Sequence, residues 1–402
     1  MSQGSLTPAS EPTPVGPIRV GVVTSISGEM APFGQASLQG YDLALQDINA
    51  SGGIHGRPLK LVFEDDESKP PAAATAVEKL ATTDQVPLVI GAYSSSATLL
   101  AAGMAERYAI PLIIPIAAAD EITRQGYRWI FRLNAPSSVF TQTLFDFMEL
   151  SERSAGESKI DHPTRMAIVF ENTAFGTSIA EAADQQARAR RMSVVTYQAY
   201  RADARDFSAL LKQVQAAQPD VILFVSYLDS AIALMKQSQA LDLNPSIFVA
   251  AGAGFSLPDF PRLAGSAAEY TISITHWTPD VKWQGAAEFS RRFQDKYGYL
   301  PQYHSAQTYA ALQVAADALR RANSLDRKNI RAALESTDMN TISGPIHFDK
   351  NGQNHHTMLI TQIIDGQFVT VYPADVAARA PIYPIPAWRQ RPSAATTSGK
   401  LP

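Results

Sequence analysis

Three consecutive serines, Ser94, Ser95 and Ser96, follow an apolar run ending at Ile90 and open a stretch of helical character over 94–107. Serine hydroxyls at a helix start accept hydrogen bonds from backbone N–H groups. The N–H groups left over, together with the helix dipole, attract an anion. Because this turn lies at the carboxyl end of a predicted strand over 87–90, the chemistry expected is a cradle for a carboxylate. A capped helix with no ligand is the plain alternative. Other combinations lead to less. Glu64-Asp65-Asp66-Glu67 offers paired carboxylates, but it ends a strand and is expected to cap turns. His355 and His356 are adjacent and lack the i, i+4 spacing of a helical metal site. Gly252-Ala253-Gly254 lacks the third glycine and the helix of a dinucleotide fingerprint, and neither a Gly-x-Ser-x-Gly elbow nor a P-loop occurs. Ser94 and His304 would serve as nucleophile and base only if Ser94 gave up its simpler capping role. The expectation is a binding protein and not an enzyme, with no cofactor and no metal.

The elements that must position these residues alternate. A β-rich run over 18–23 is followed by a helical pattern over 35–49 that stops at Ser51-Gly52-Gly53, a glycine-type cap. Strands over 59–64, 87–90 and 111–115 alternate with helices over 71–83 and 94–107. The alternation restarts after Asn134 and runs to a strand over 246–250. Strands alternating with helices imply parallel sheets covered on both faces, and two such series imply two α/β lobes. The pieces from 270 to 371 are too few for a third sheet, so they are expected to complete the first two, with three crossings between lobes.

Bulk composition narrows the class. With 402 residues, 46% hydrophobic and 18% charged, the chain is globular and long enough for two domains. A net charge of −4 without a basic block argues against nucleic acid or an anionic membrane as partner. The absence of cysteine excludes disulfides and thiol chemistry. Residues 1–17 are rich in Ser, Pro, Thr and Gly and are expected to form a flexible tether, with an export signal, and optionally a lipid-bearing cysteine, upstream of Met1. The segment from 375 to 402 is expected to be a tail that wraps the surface or hangs free.

In order and spacing, several motifs resemble one family. These are Val20-Gly21-Val22-Val23 leading to Ser27-Gly28, Phe33-Gly34, and Asp47 to Ile54 with its Asn-Ala-Ser-Gly-Gly core. Ile90-Gly91, Thr308-Tyr309-Ala310-Ala311-Leu312 and Ser343-Gly344-Pro345 continue the pattern. Together they resemble the type I periplasmic binding proteins of the branched-chain amino acid and amide class, over nearly the whole chain. The resemblance implies two Rossmann-like lobes with mostly parallel sheets, joined by a three-strand hinge. Lobe one would be 18–134 plus 276–343 and lobe two 135–275 plus 344–374. It also implies an ABC-importer binding protein, monomeric, in the periplasm or outside the cell, that closes on a small ligand and presents it to a cognate permease. A sensor of the same fold is the alternative.

Carried over by resemblance, Ser94 would contact the ligand carboxylate, while Ser95 and Ser96 complete the cradle. Ala117 and Ala118 stand where relatives use a small residue and a threonine, so a hydroxyl is missing and backbone groups would serve. Tyr227 matches a site tyrosine; Phe33, Phe175 and His304 match pocket positions, with His304 replacing an aromatic as a polar handle. Tyr93, Phe175, Tyr227 and Trp277 would stack on or cover an apolar or aromatic guest. Gly252 stands near the place where amino-acid binders of the family put an acid to pair with the ligand ammonium. Either the guest lacks that ammonium or another acid supplies the pairing, Asp229 or Glu171 by strand-end position, although Asp229 suits a helix cap better.

Overall fold

The computed structural model describes residues 16–154, 163–355 and 358–391. The expected tether lies almost wholly outside the described residues, as do His356 and the end of the tail.

The first series forms β1 (Ile18–Thr24), α1 (Ala31–Ala50), β2 (Leu59–Asp65), α2 (Pro70–Thr82), β3 (Val89–Ile90), α3 (Ser95–Arg107), β4 (Leu112–Ile114), α4 (Glu121–Arg124) and β5 (Ile130–Arg132). All five strands are parallel, in the order β2-β1-β3-β4-β5. β1 is nearly all buried because helices cover both faces, which is why it reads as continuous Val and Ile without alternation.

The second series runs α5 (Ser137–Ser154), β6 (Arg165–Glu171), α6 (Ala174–Ala189), β7 (Ser193–Tyr200), α7 (Ser208–Ala216), β8 (Val221–Val225), α8 (Leu228–Ala240), β9 (Ile247–Ala250), α9 (Asp259–Ala264) and β10 (Ile272–Thr275). The chain then returns to the first sheet as α10 (Ala286–Tyr297), α11 (Tyr303–Ala322) and α12 (Arg327–Glu335). α11 lies against α1 so closely that a Cβ on Gly40 would stand 2.1 Å from the Ser305 carbonyl oxygen. The Ser305 and Thr308 hydroxyls bond carbonyls of α1 at 2.8 and 3.0 Å. A hairpin, β11 (Asp338–Thr341) and β12 (Gly344–His347), leads back to β13 (Leu359–Ile364) and β14 (Gln367–Tyr372). These last two strands add antiparallel to the second sheet, whose order is β14-β13-β10-β9-β8-β6-β7. The result is two α/β lobes with mostly parallel sheets, and the chain passes between the sheets three times.

In each sheet the strand order reverses beside the first strand of the series, between β1 and β3 and between β6 and β8. Ligands of open parallel sheets bind outside the carboxyl ends of the strands at such a reversal. The loops after β3, β6 and β8 carry Tyr93 to Ser95, Phe175 and Tyr227, so both reversals aim at one cleft.

Two stretches are filled in beyond the sequence reading. β5 and α4 fall between 115 and 134, where the sequence reading assigned no element, because a strand of three residues and a helix of four leave no periodicity to detect. The segment after β14, expected to wrap the surface or hang free, lies on the surface over its described part. Trp388 packs on Phe248, its indole N–H donates to the Leu243 carbonyl at 2.7 Å, and Ile385 N–H donates to the Ser246 carbonyl at 2.9 Å.

Candidate functional site

The cleft contains a small cavity between the lobes. It is lined from the first lobe by Tyr93, Ser95, Ile116, Ala117, Ala118 and Tyr303. Phe140, Phe175, Tyr227, Ala251, Ala253 and His276 complete the wall. Among the described residues none of the lining side chains is a carboxylate, a lysine or an arginine.

The three serines divide their work. The Ser94 hydroxyl caps α3 by accepting from Ala97 N–H at 3.2 Å. Ser95 is the serine that lines the cavity; its oxygen accepts from Ala118 N–H at 3.3 Å and Ala119 N–H at 3.1 Å. Those two amides are therefore already partnered, and what reaches a guest is the Ser95 O–H. Ser96 faces the other lobe, where its oxygen accepts from Ala174 N–H at 3.3 Å, the first residue of α6. A second bond between lobes runs from Asp120 N–H to the Ser178 hydroxyl at 3.0 Å. The cleft is thus closed in this structure.

The loop over 116–119 is held from behind. Arg132, at the end of β5 and fully buried, donates to the Ala119 carbonyl and to Gln353 Oε1, each at 2.6 Å, and to the Thr123 hydroxyl at 2.8 Å. Ser137 donates to the Ala118 carbonyl through both its backbone N–H, at 2.8 Å, and its hydroxyl, at 3.0 Å. Asn134 donates to the Ile116 carbonyl. Burial pushes the Arg132 guanidinium down to about 9, so it stays charged at neutral pH, supported by Asp120 and Asp349.

The aromatic residues form one cluster. Phe33 stacks on Tyr93 at 4.8 Å and meets Tyr227 of the other lobe edge-on at 5.7 Å; Phe175 lies 5.8 Å from Tyr227. Phe33 and His304 are fully buried behind this layer and do not line the cavity. The His304 Nδ1 bonds Gln302 Oε1 at 2.9 Å and its Nε2 bonds the Tyr93 hydroxyl at 3.3 Å. Burial pushes its imidazole down to about 3. His304 is therefore a neutral residue that orients Tyr93, with both ring nitrogens engaged away from the guest. Trp277 also lies outside the cavity, with its indole N–H bonded to the Ile342 carbonyl at 3.0 Å.

The acidic candidates separate clearly. Asp229 sits in the first turn of α8 without capping it, is mostly exposed, and lies 3.6 Å from Arg205. Glu171 is buried at the end of β6 in a small adjoining cavity, on the far side of Tyr227. Burial pushes its carboxyl up to about 7, against the Tyr227 backbone N–H that bonds it. Gly252 has φ 71 and ψ −136, a conformation open to glycine alone, and a Cβ there would stand 3.1 Å from the Ile274 carbonyl oxygen. The missing acid thus reflects the backbone itself. Gly252→Asp is expected to cost about 1–3 kcal/mol and to lower the melting temperature by several degrees without conferring leucine binding, which thermal denaturation and calorimetry check.

Sequence reasoning missed Phe140, His276 and Tyr303. They come from the start of α5, the second crossing and the start of α11. Only the crossings themselves hinted that these stretches meet at the cleft. The Glu64–Glu67 run does cap turns, as expected: Asp65 accepts from Ile26 N–H, Ser27 N–H and the Ser27 hydroxyl, and Asp66 from Ser68 N–H.

Comparison with known proteins agrees with this geometry. A leucine-binding protein from Thermotoga maritima superposes with a TM-score of 0.80 at 22% identity, over 88% of this chain and 97% of that one. An R. palustris ABC-transporter solute-binding protein, solved with benzoate, superposes at 0.78 with 21% identity, over 91% and 98%. The Leu/Ile/Val-binding protein homolog 7 of Brucella melitensis is 29% identical over 373 residues, 90% of this chain and 92% of its own length. The periplasmic binding protein family model matches residues 17–367, and the chain belongs to that family.

Proposed function

We propose that the chain is the substrate-binding component of an ABC importer, working outside the cytoplasm, and that its guest is a small monocarboxylate with an apolar or aromatic body and no α-ammonium. The observation that carries the guest class is the lining: six aromatic or imidazole rings, small aliphatic residues and the Ser95 hydroxyl, with no acid among the described lining residues to meet an ammonium. A buried ammonium without a partner costs several kcal/mol, so an amino acid carries a second desolvation penalty that a simple acid does not. The benzoate-bound R. palustris neighbour supports the same class.

On this reading lobe one is 18–134 plus 276–343 and lobe two 135–275 plus 344–374. The guest docks on Tyr93, Ser95 and the loop over 116–118, and lobe two then swings in with Phe175 and Tyr227. Binding shifts the open and closed populations because the guest touches both lobes only when they are closed. A monomer presents this closed shape to a membrane permease. Titration calorimetry with benzoate, other apolar acids and leucine tests the guest class. Micromolar binding of an apolar acid, about −8 kcal/mol, with leucine at least tenfold weaker, is expected; tighter binding of leucine refutes it.

A further inference from the structure

An anion shut away from water needs a compensating charge or a full set of donors. The cavity has few donors to spare, because the Ala118 and Ala119 amides are already bonded to Ser95. It holds one side chain able to become a cation, His276, which follows β10 on the second crossing. Its ring is flanked edge-to-face by Phe140 of α5 at 4.7 Å and Tyr303 of α11 at 4.9 Å. Aromatic neighbours on two sides tolerate an imidazolium through their π systems. The other titratable groups on the cavity wall are the hydroxyls of Tyr93, Tyr227 and Tyr303, all pushed up by burial and so neutral. Glu171 lies beyond Tyr227, beside Arg205, Asp229 and Glu29.

Building on the monocarboxylate reading above, we propose that His276 is the specificity-determining counter-charge of this cavity. It takes up a proton as the anion enters, and the resulting imidazolium–carboxylate pair selects acids over neutral amides or esters of the same shape. An imidazolium in this apolar box is stabilised by the entering anion, and the desolvated carboxylate by the cation; each favours the other's charged form.

Calorimetry of the wild-type protein with benzoate at pH 8, in phosphate and in Tris, counts the protons exchanged. About one proton taken up per benzoate is expected, with affinity falling as pH rises through the range where imidazole loses its proton. In H276N the uptake disappears and benzoate affinity drops about tenfold or more, while benzamide binding changes little; H276Q serves if the asparagine variant folds poorly. In E171Q the uptake persists. Benzoate binding without proton exchange in the wild type, or uptake that survives H276N and vanishes in E171Q, overturns the role of His276. Failure of benzoate and every other apolar acid to bind removes the monocarboxylate reading itself, and this inference with it.

Discussion

Replacing Arg132 by methionine is expected to destabilise the protein by roughly 3–5 kcal/mol, the size of effect seen when one member of a buried charged network is removed. Methionine fills the volume but leaves the Ala119 carbonyl, the Thr123 hydroxyl and the Gln353 amide oxygen without the donor they now share. Unsatisfied buried acceptors cost about 1–3 kcal/mol each, and some of that is recovered by relaxation. Arg132→Lys keeps the charge but offers one point where the guanidinium spans three partners, so it is expected to fall between the two. Denaturant unfolding of the three proteins measures this; a loss below about 1 kcal/mol in R132M would show that the network is not holding the loop. Gln353 belongs to the third crossing, and its amide also donates to the Asn134 carbonyl at 2.7 Å in the first. Damage at Arg132 therefore reaches the hinge as well as the cavity wall.

The second large effect is expected on binding. Tyr227→Ala removes the ring that meets Phe33, Tyr93 and Phe175, and so removes the aromatic bridge from lobe two to lobe one. Truncating a buried aromatic anchor costs about 2 kcal/mol or more, which is roughly 30–100-fold in affinity. Calorimetry with benzoate measures that loss, and small-angle scattering is expected to show that the variant closes less completely at saturating ligand. Tyr227→Phe keeps the rings and is expected to lose less than tenfold. Equal losses in both variants would mean that the hydroxyl, not the bridge, matters.

Much of the fold was legible because its strands are buried on both faces and its helices carry clear apolar spacing. Val20 to Val23 and Val221 to Val225 are continuous apolar runs, as central parallel strands require. The cradle at Ser94 to Ser96 was legible as a capped helix start, but not the division of labour within it. Which hydroxyl faces a guest depends on the direction in which each side chain leaves the first turn of α3, and sequence does not carry that. His304 was misplaced for a related reason. It stands behind the cavity wall, where Gln302, two residues earlier, and Tyr93, far away in the chain, claim both its nitrogens. Phe140, His276 and Tyr303 were invisible because they reach the cleft through crossings between lobes. Gly252 is the opposite case: its departure from the acidic pattern was plain in the sequence, and the left-handed turn supplies the reason.

Several polar bonds join the lobes at the cleft among the described residues, including Ser96 to Ala174, Asp120 N–H to Ser178 and Ser138 N–H to the Asp120 carboxylate. Each contributes about 1 kcal/mol net, so the jaws are held by many weak contacts, the ring of Tyr227 against Phe33 among them, and not by one strong one. On the proposed function the guest is then its own lock: residence time is expected to follow how well it fills the aromatic box.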